Sequence, residues 1–200
     1  GSLEGDFWSG IHYHEKWTAK KNGSFVLPDP DSLTFLKQGY NKLEFSFPNL
    51  QGKNVSLSED RYQNKVVIVQ IMGSWCPNCL DETDYLSGLY NKHKSQKLEI
   101  IALCYEKSAE FSRAKNNVVR LKKHFNAEYE FLISGVADKT EAAKTLPMLN
   151  HVLSYPTTIF IDKKGAIRKI YTGFNGPGTG EHYKKFVKET NLFVEKLLQE

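Results

Sequence analysis

The apolar run Val66-Val67-Ile68-Val69-Gln70-Ile71-Met72 leads through Gly73-Ser74 into Trp75-Cys76-Pro77-Asn78-Cys79. The run is short and rich in β-branched residues, which predicts a buried central strand. Beyond Pro77 the apolar positions change period: Cys79/Leu80, Leu86, Leu89/Tyr90 and His93 fall on one helical face. Proline suits the first position of a helix, where its missing N–H costs nothing. Two cysteines three residues apart therefore open a helix directly after a strand. Unpaired backbone N–H groups and the positive end of the helix dipole stabilise a thiolate there, so Cys76 is expected to be exposed with a lowered pKa. Cys79, one turn in, is expected to be shielded and close enough to form a disulfide with it.

Other uses of a Cys-x-x-Cys pair fit less well. A zinc site needs two further ligands at finger-like spacing. The only other cysteine is Cys104, which ends the apolar run Ile100-Ile101-Ala102-Leu103-Cys104 and reads as a buried core residue. His12 and His14 lie far upstream with no third ligand in view, so no metal is assigned. Cys76 also lacks the Pro and Thr that precede a peroxidatic cysteine. A redox dithiol is the preferred reading.

The WCPNC helix start, the later Tyr155-Pro156-Thr157-Thr158 at the head of a strand, and the order of elements resemble the thioredoxin fold. More narrowly, residues 41 to 200 resemble the TlpA/ResA-like thiol-disulfide oxidoreductases of bacterial envelopes. The resemblance implies an α/β, thioredoxin-like three-layer fold with a central mixed sheet and an inserted region before the cis-Pro strand. It implies reduction of protein disulfides, with Cys76 attacking and Cys79 resolving. Pro156 matches the fold's cis-proline beside the dithiol. Trp75, Pro77, Asn78, Tyr155 and Thr157 would border the substrate groove. Pro77 and Asn78 do not ionise, so neither adds the thiolate stabilisation that a charged neighbour supplies.

Glu82 lies three residues after Cys79 on nearly the same helical face, where its carboxylate can reach the cysteine pair. Asp81 is rotated about 100° away and is expected to face solvent. Many thioredoxins keep a buried acid six residues before the first cysteine. That position is Gln70 here, and TlpA/ResA-like proteins carry a Glu at the position of Glu82 instead. No cofactor beyond a redox-active Cys76–Cys79 disulfide is implied. The implied partners are proteins with disulfides or thiols and an upstream thiol protein that donates electrons.

The 200 residues suit one ordinary domain with an appendage. A net charge of +4 is too small and scattered to argue for nucleic acid. No apolar run is long enough to span a bilayer. The opening Gly1-Ser2 in place of Met reads as a cloning scar or a processed start, and the absence of a signal peptide, lipid anchor or membrane tether says nothing of location; a periplasmic or envelope location is what the TlpA/ResA resemblance implies.

Residues 1–40 are read as an N-terminal β-hairpin segment and linker, and 41–200 as the thioredoxin-like domain. Ile11, Tyr13, Glu15 and Trp17 are expected to share one strand face, His12, His14 and Lys16 the other, and Asn22-Gly23 is expected to turn the chain into Phe25-Val26-Leu27. The aromatics Phe7, Trp8, Tyr13 and Trp17 are expected to belong to a core. The segment resembles the last hairpin of an all-β domain that precedes the redox domain in some TlpA-like proteins. A short helix is expected near Leu33–Lys37. A second hairpin is expected through Leu43–Phe47 and Val55–Leu57, and a helix over Asp138–Leu149 interrupted at Pro147. The glycines between Gly173 and Gly180 lack the Lys-Ser/Thr pair of a phosphate loop and read as a connector near the dithiol. Two rival functions stay open: a disulfide oxidase or isomerase, and a carbohydrate- or protein-binding module using the N-terminal aromatics.

Overall fold

The computed structural model describes residues 1–11 and 13–200. The element order is β1 (Ser2–Ser9), β2 (Tyr13–Lys20), α1 (Pro30–Leu33), β3 (Ser46–Pro48), β4 (Asn54–Ser56), β5 (Val66–Met72), α2 (Pro77–His93) and β6 (Leu98–Glu106), then α3 (Phe111–His124), β7 (Glu130–Val136), α4 (Lys139–Thr145), β8 (Thr157–Ile161), β9 (Ile167–Thr172) and α5 (Glu181–Gln199).

A five-stranded sheet in the order β7-β6-β5-β8-β9 carries the core. β5 runs parallel to β6 and antiparallel to β8, so the sheet is mixed. All seven residues of β5 are buried, as a strand between two neighbours and beneath covering elements requires. The pairing sets Gln70 directly opposite Thr158, so their side chains share one face. α2 is the crossover between the parallel strands β5 and β6, and its N-terminus therefore sits at the carboxyl end of β5. Beside it lies α5, joined to it by a 2.9 Å hydrogen bond from the Tyr85 hydroxyl to Asn191 and a 2.9 Å Lys92–Glu195 ion pair.

The expected insertion is present as α3, β7 and α4. β7 adds an edge strand parallel to β6, with a register shift between Cys104 and Tyr105. α4 is capped by the Asp138 carboxylate and ends at Thr145, ahead of Pro147, because proline cannot continue the backbone ladder.

The N-terminal expectations need correcting. The hairpin pairs Ser2–Ser9 with Tyr13–Lys20, and it turns around Gly10, whose φ of +58° favours glycine. Asn22 forms only a local turn, its side-chain oxygen accepting from the Ser24 amide, and Phe25-Val26-Leu27 is exposed and does not return as a strand. Phe7, Trp8, Tyr13 and Trp17 are exposed and form no core. A lone two-stranded ribbon has no second layer to bury them against. Within the ribbon Trp8 stacks on His14 at 3.8 Å, Phe7 meets Tyr13 edge-on at 6.2 Å, and the Trp17 ring lies against Gly5.

The short helix falls at Pro30–Leu33, earlier than expected, because Asp29 caps it and Pro30 occupies its first turn. The segment is anchored to the body. Thr34 is buried, accepts a hydrogen bond from the Thr172 hydroxyl at 2.9 Å, and is followed by a backbone bridge from Leu36 to Leu149.

Candidate active site

The site grows from the turn between β5 and α2. Gly73 is required there, since a Cβ would lie 2.3 Å from Trp75 Nε1 and 2.8 Å from the Tyr105 carbonyl oxygen. Trp75 Nε1 donates to that same carbonyl at 2.9 Å. Ser74 donates its amide at 2.7 Å and its hydroxyl at 2.6 Å to the carboxylate of Glu106, which is 1% exposed. The end of β6 thus clamps the two residues immediately before Cys76.

Cys76 is the N-cap of α2 and Pro77 holds the first helical position. The Cys76 carbonyl accepts from the amides of Cys79 at 3.0 Å and Leu80 at 3.1 Å, so the cysteine pair is wound into the first turn. Both cysteines are free thiols. The expected contrast in exposure is small: Cys76 is 6% exposed and Cys79 is fully buried. Cys76 is covered because the Tyr155–Pro156 loop closes over it, with Sγ 3.4 Å from the Tyr155 carbonyl oxygen.

The contrast in acidity is larger. A hydrogen bond from the Cys79 thiol, aided by the backbone amides of Cys79 and Asn78, pulls Cys76 down to about 7 against the cost of burial. Burial, followed by donation to Cys76, pushes the Cys79 thiol far up. One thiolate is therefore available near neutral pH, and it sits on Cys76.

Glu82 is 1% exposed. Gln70 Nε2 donates to its Oε2 at 2.8 Å and Thr158 Oγ1 donates to its Oε1 at 2.7 Å. Burial raises its carboxyl to about 7, the two donors oppose that rise, and the Cys76 charge adds to it. Asp81 is exposed and points at the Gly173–Gly180 connector, where a Cβ on Gly176 would meet its Oδ2 at 2.7 Å. That connector does lie beside the start of α2.

The Tyr155–Pro156 bond is cis. Tyr155 is largely buried, with its ring edge-on to Trp75 at 5.6 Å and its hydroxyl without a hydrogen-bond partner. Trp75, Pro77 and Asn78 are exposed around the dithiol, and Lys107 Nζ lies 5.5 Å over the Trp75 ring. Thr157 departs from the expectation. It is fully buried and its hydroxyl donates to the Ser154 carbonyl at 2.9 Å, so that side chain serves the turn and does not face the groove.

Sequence reasoning missed Glu106, Tyr105 and Thr158, and assigned Gln70 no part. No local pattern marks them; the cross-strand register of β5 and β8 was the one available signal for Thr158. Cys104 is fully buried, and burial pushes its thiol well up. His14 is exposed and 2.6 Å from Asp6, whereas His12 lies outside the described residues. Among the described residues no three His, Cys, Asp or Glu side chains gather as metal ligands. No helix among them is long and apolar enough to cross a membrane.

Residues 37–186 match the redoxin family. The thiol-disulfide oxidoreductase ResA of Geobacillus thermodenitrificans is 28% identical over 140 residues, 70% of this chain and 72% of its own. The ResA of Bacillus thuringiensis is 30% identical over 146 residues, 72% and 73% of the two chains. Among solved structures, a DsbF homologue from Corynebacterium diphtheriae has a TM-score of 0.56 at 20% identity, covering 84% of this chain and 99% of its own. A thiol:disulfide interchange protein from Chlorobium tepidum has a TM-score of 0.54 at 17% identity, covering 76% and 97%. With a dithiol of divided acidity at the start of α2, a thioredoxin-like sheet and these relatives, the chain belongs to the redoxin family and is a thiol-disulfide oxidoreductase.

Proposed function

We propose that the protein is a protein-disulfide reductase in which Cys76 attacks, Cys79 resolves and Glu82 handles the proton. The Cys76 thiolate attacks one sulfur of a substrate disulfide and expels the other as a thiolate, leaving a mixed disulfide. Cys79 then passes its proton to the Glu82 carboxylate and attacks Cys76 Sγ. The Cys76–Cys79 disulfide forms, the second substrate thiol leaves, and two electrons have passed from the dithiol to the substrate. An upstream thiol protein would return the pair to its reduced form. Pro156 and the backbone of Tyr155 border the groove for the substrate chain, with Trp75, Pro77 and Asn78 around it. The TlpA/ResA resemblance supports action outside the bacterial cytoplasm, in the periplasm or at the envelope. It also supports taking residues 1–40 as an appendage to the redox unit of 41–200.

The reductive direction is supported by the donors around Cys76: the Cys79 thiol and two backbone amides, all neutral, lower it to about 7, nearer the attacking thiol of thioredoxin than the value of about 3.5 in a strongly oxidising dithiol. A thiolate stabilised only this far does not favour the reduced form enough to make the pair a strong oxidant. Equilibration with glutathione buffers should give a potential nearer −270 mV than −120 mV, values typical of a reductase and an oxidase respectively. A potential close to −120 mV would transfer the protein to the oxidase reading.

A second reading gains from the exposure of Phe7, Trp8, Tyr13 and Trp17, which leaves them free to contact a ligand. Carbohydrate or protein binding that survived replacement of both Cys76 and Cys79 by Ser would establish a separate binding role for the hairpin.

A further inference from the structure

We propose that Gln70 and Thr158 are positioning residues of the exchange reaction, a cross-strand seat on β5 and β8 that holds the Glu82 carboxylate beneath the dithiol and governs how readily it takes a proton. The proposal rests on Glu82 being the proton acceptor. Its geometry is independent of that role. Gln70 and Thr158 face each other in the antiparallel register, both are buried, and each supplies one donor to a different oxygen of the carboxylate.

Neither donor carries charge. A buried carboxylate whose only partner was a guanidinium or an ammonium would remain ionised and could not accept a proton near neutral pH. One with no donor would stay protonated and could not accept a proton either. Two neutral hydrogen bonds lie between these limits and offset part of the cost of burial. The seat also accommodates the protonated form. The Thr158 hydroxyl can reverse from donor to acceptor, and Gln70 Oε1 is a buried acceptor without a partner, which a rotated amide would present to the acid.

The titratable groups acting on this carboxylate are few. Cys76 and Cys79 act on its charge from the first turn of α2, and Tyr85, Tyr129 and Tyr171 more weakly from α2, the approach to β7 and β9. Burial pushes all three phenols up, so they remain neutral in the working range. Among these groups only Cys76 changes charge in the same range as Glu82, which makes the titration a shared one.

Blocking Cys76 removes that partner and isolates the resolving step. Cys76 is loaded with thionitrobenzoate as a mixed disulfide, and the rate at which Cys79 releases the chromophore is followed against pH. The Glu82 carboxyl resonance is titrated in parallel by carbon NMR. Thr158→Val and Gln70→Leu each remove one donor from the ionised carboxylate. Each should move the inflection of both profiles upward by about one pH unit, whereas Thr158→Ser, which keeps the hydroxyl, should hold it at the wild-type position. A merely structural role would alter stability and leave the inflection in place. If Thr158→Val does not fold, Gln70→Leu decides the matter. Wild-type inflections in a folded donor-lacking variant would overturn the seat. An inflection that persists in Glu82→Gln would instead remove Glu82 from the proton path, so the two failures are distinguishable.

Discussion

Replacing Glu82 by Gln should stabilise the protein above neutral pH and leave its stability almost unchanged in acid. The carboxyl is 1% exposed and is raised from an ordinary 4.5 to about 7, with burial the largest cause. Between those two values the folded protein binds a proton that the unfolded chain has released. Stability therefore falls as pH rises through this window. A difference of about 2.5 units corresponds to about 3 kcal/mol of cost, absent below pH 4.5 and complete above pH 7. The amide cannot ionise and escapes the cost. Its new N–H group also has a ready acceptor in Gln70 Oε1, which now lacks a partner. The measurement is urea unfolding from pH 5 to pH 8, made in a Cys76→Ser/Cys79→Ser background so that thiol titration does not contribute. Losing the Cys76 charge matters little, because it is the smallest of the four causes acting on Glu82. The Gln variant should gain on its parent by up to about 3 kcal/mol at pH 8, and the gain should shrink as pH falls below 7. Parallel curves across the range would mean that the carboxyl is not raised by burial, and the proton role would lose its basis.

Two further expectations concern the thiols. Limiting iodoacetamide should label Cys76 ahead of Cys79, with a rate that rises around pH 7, since the Cys76 thiol is lowered to about 7 while burial keeps Cys79 protonated; preferential labelling of Cys79 would reverse the roles. Cys104→Ala should cost about 1 kcal/mol or more of stability, because it removes a fully buried side chain, and should leave insulin reduction intact; a folded variant without activity would make the third thiol mechanistic.

Much of this architecture is written in local patterns. The β-branched run of β5, the change of period after Pro77 and the proline in the first turn of α2 place a dithiol at a helix start. These features need only near neighbours along the chain: alternation, helical spacing and a cap. The spacing from Cys79 likewise puts Glu82 on the buried face of α2, and the motif around Pro156 identifies the loop whose Tyr155 carbonyl meets Cys76. The lowered Cys76 thiol follows from the same stretch, first because the Cys-x-x-Cys spacing brings the Cys79 thiol to it as a donor and then because backbone amides of the first turn add to it.

What tertiary structure decided depends on residues that meet across long stretches of chain. Cys76 is nearly covered because a carbonyl 79 positions away lies over its sulfur. Glu82 is held through Thr158, 76 positions away, and the loop before Cys76 through Glu106, 32 positions from Ser74. No local pattern marks such contacts, because strand register and the packing of α2 on the sheet create them. The N-terminal hairpin shows the same division. Alternation correctly assigned Tyr13 and Trp17 to one face, but whether that face is buried depends on a second layer, and the ribbon has none. The sequence by itself placed two thiols at a helix start behind a buried strand and set out the order of the elements from residue 41 onward. The fold determined which donors hold the Glu82 carboxylate, because only long-range pairing brings Gln70, Thr158 and Glu82 within hydrogen-bond distance.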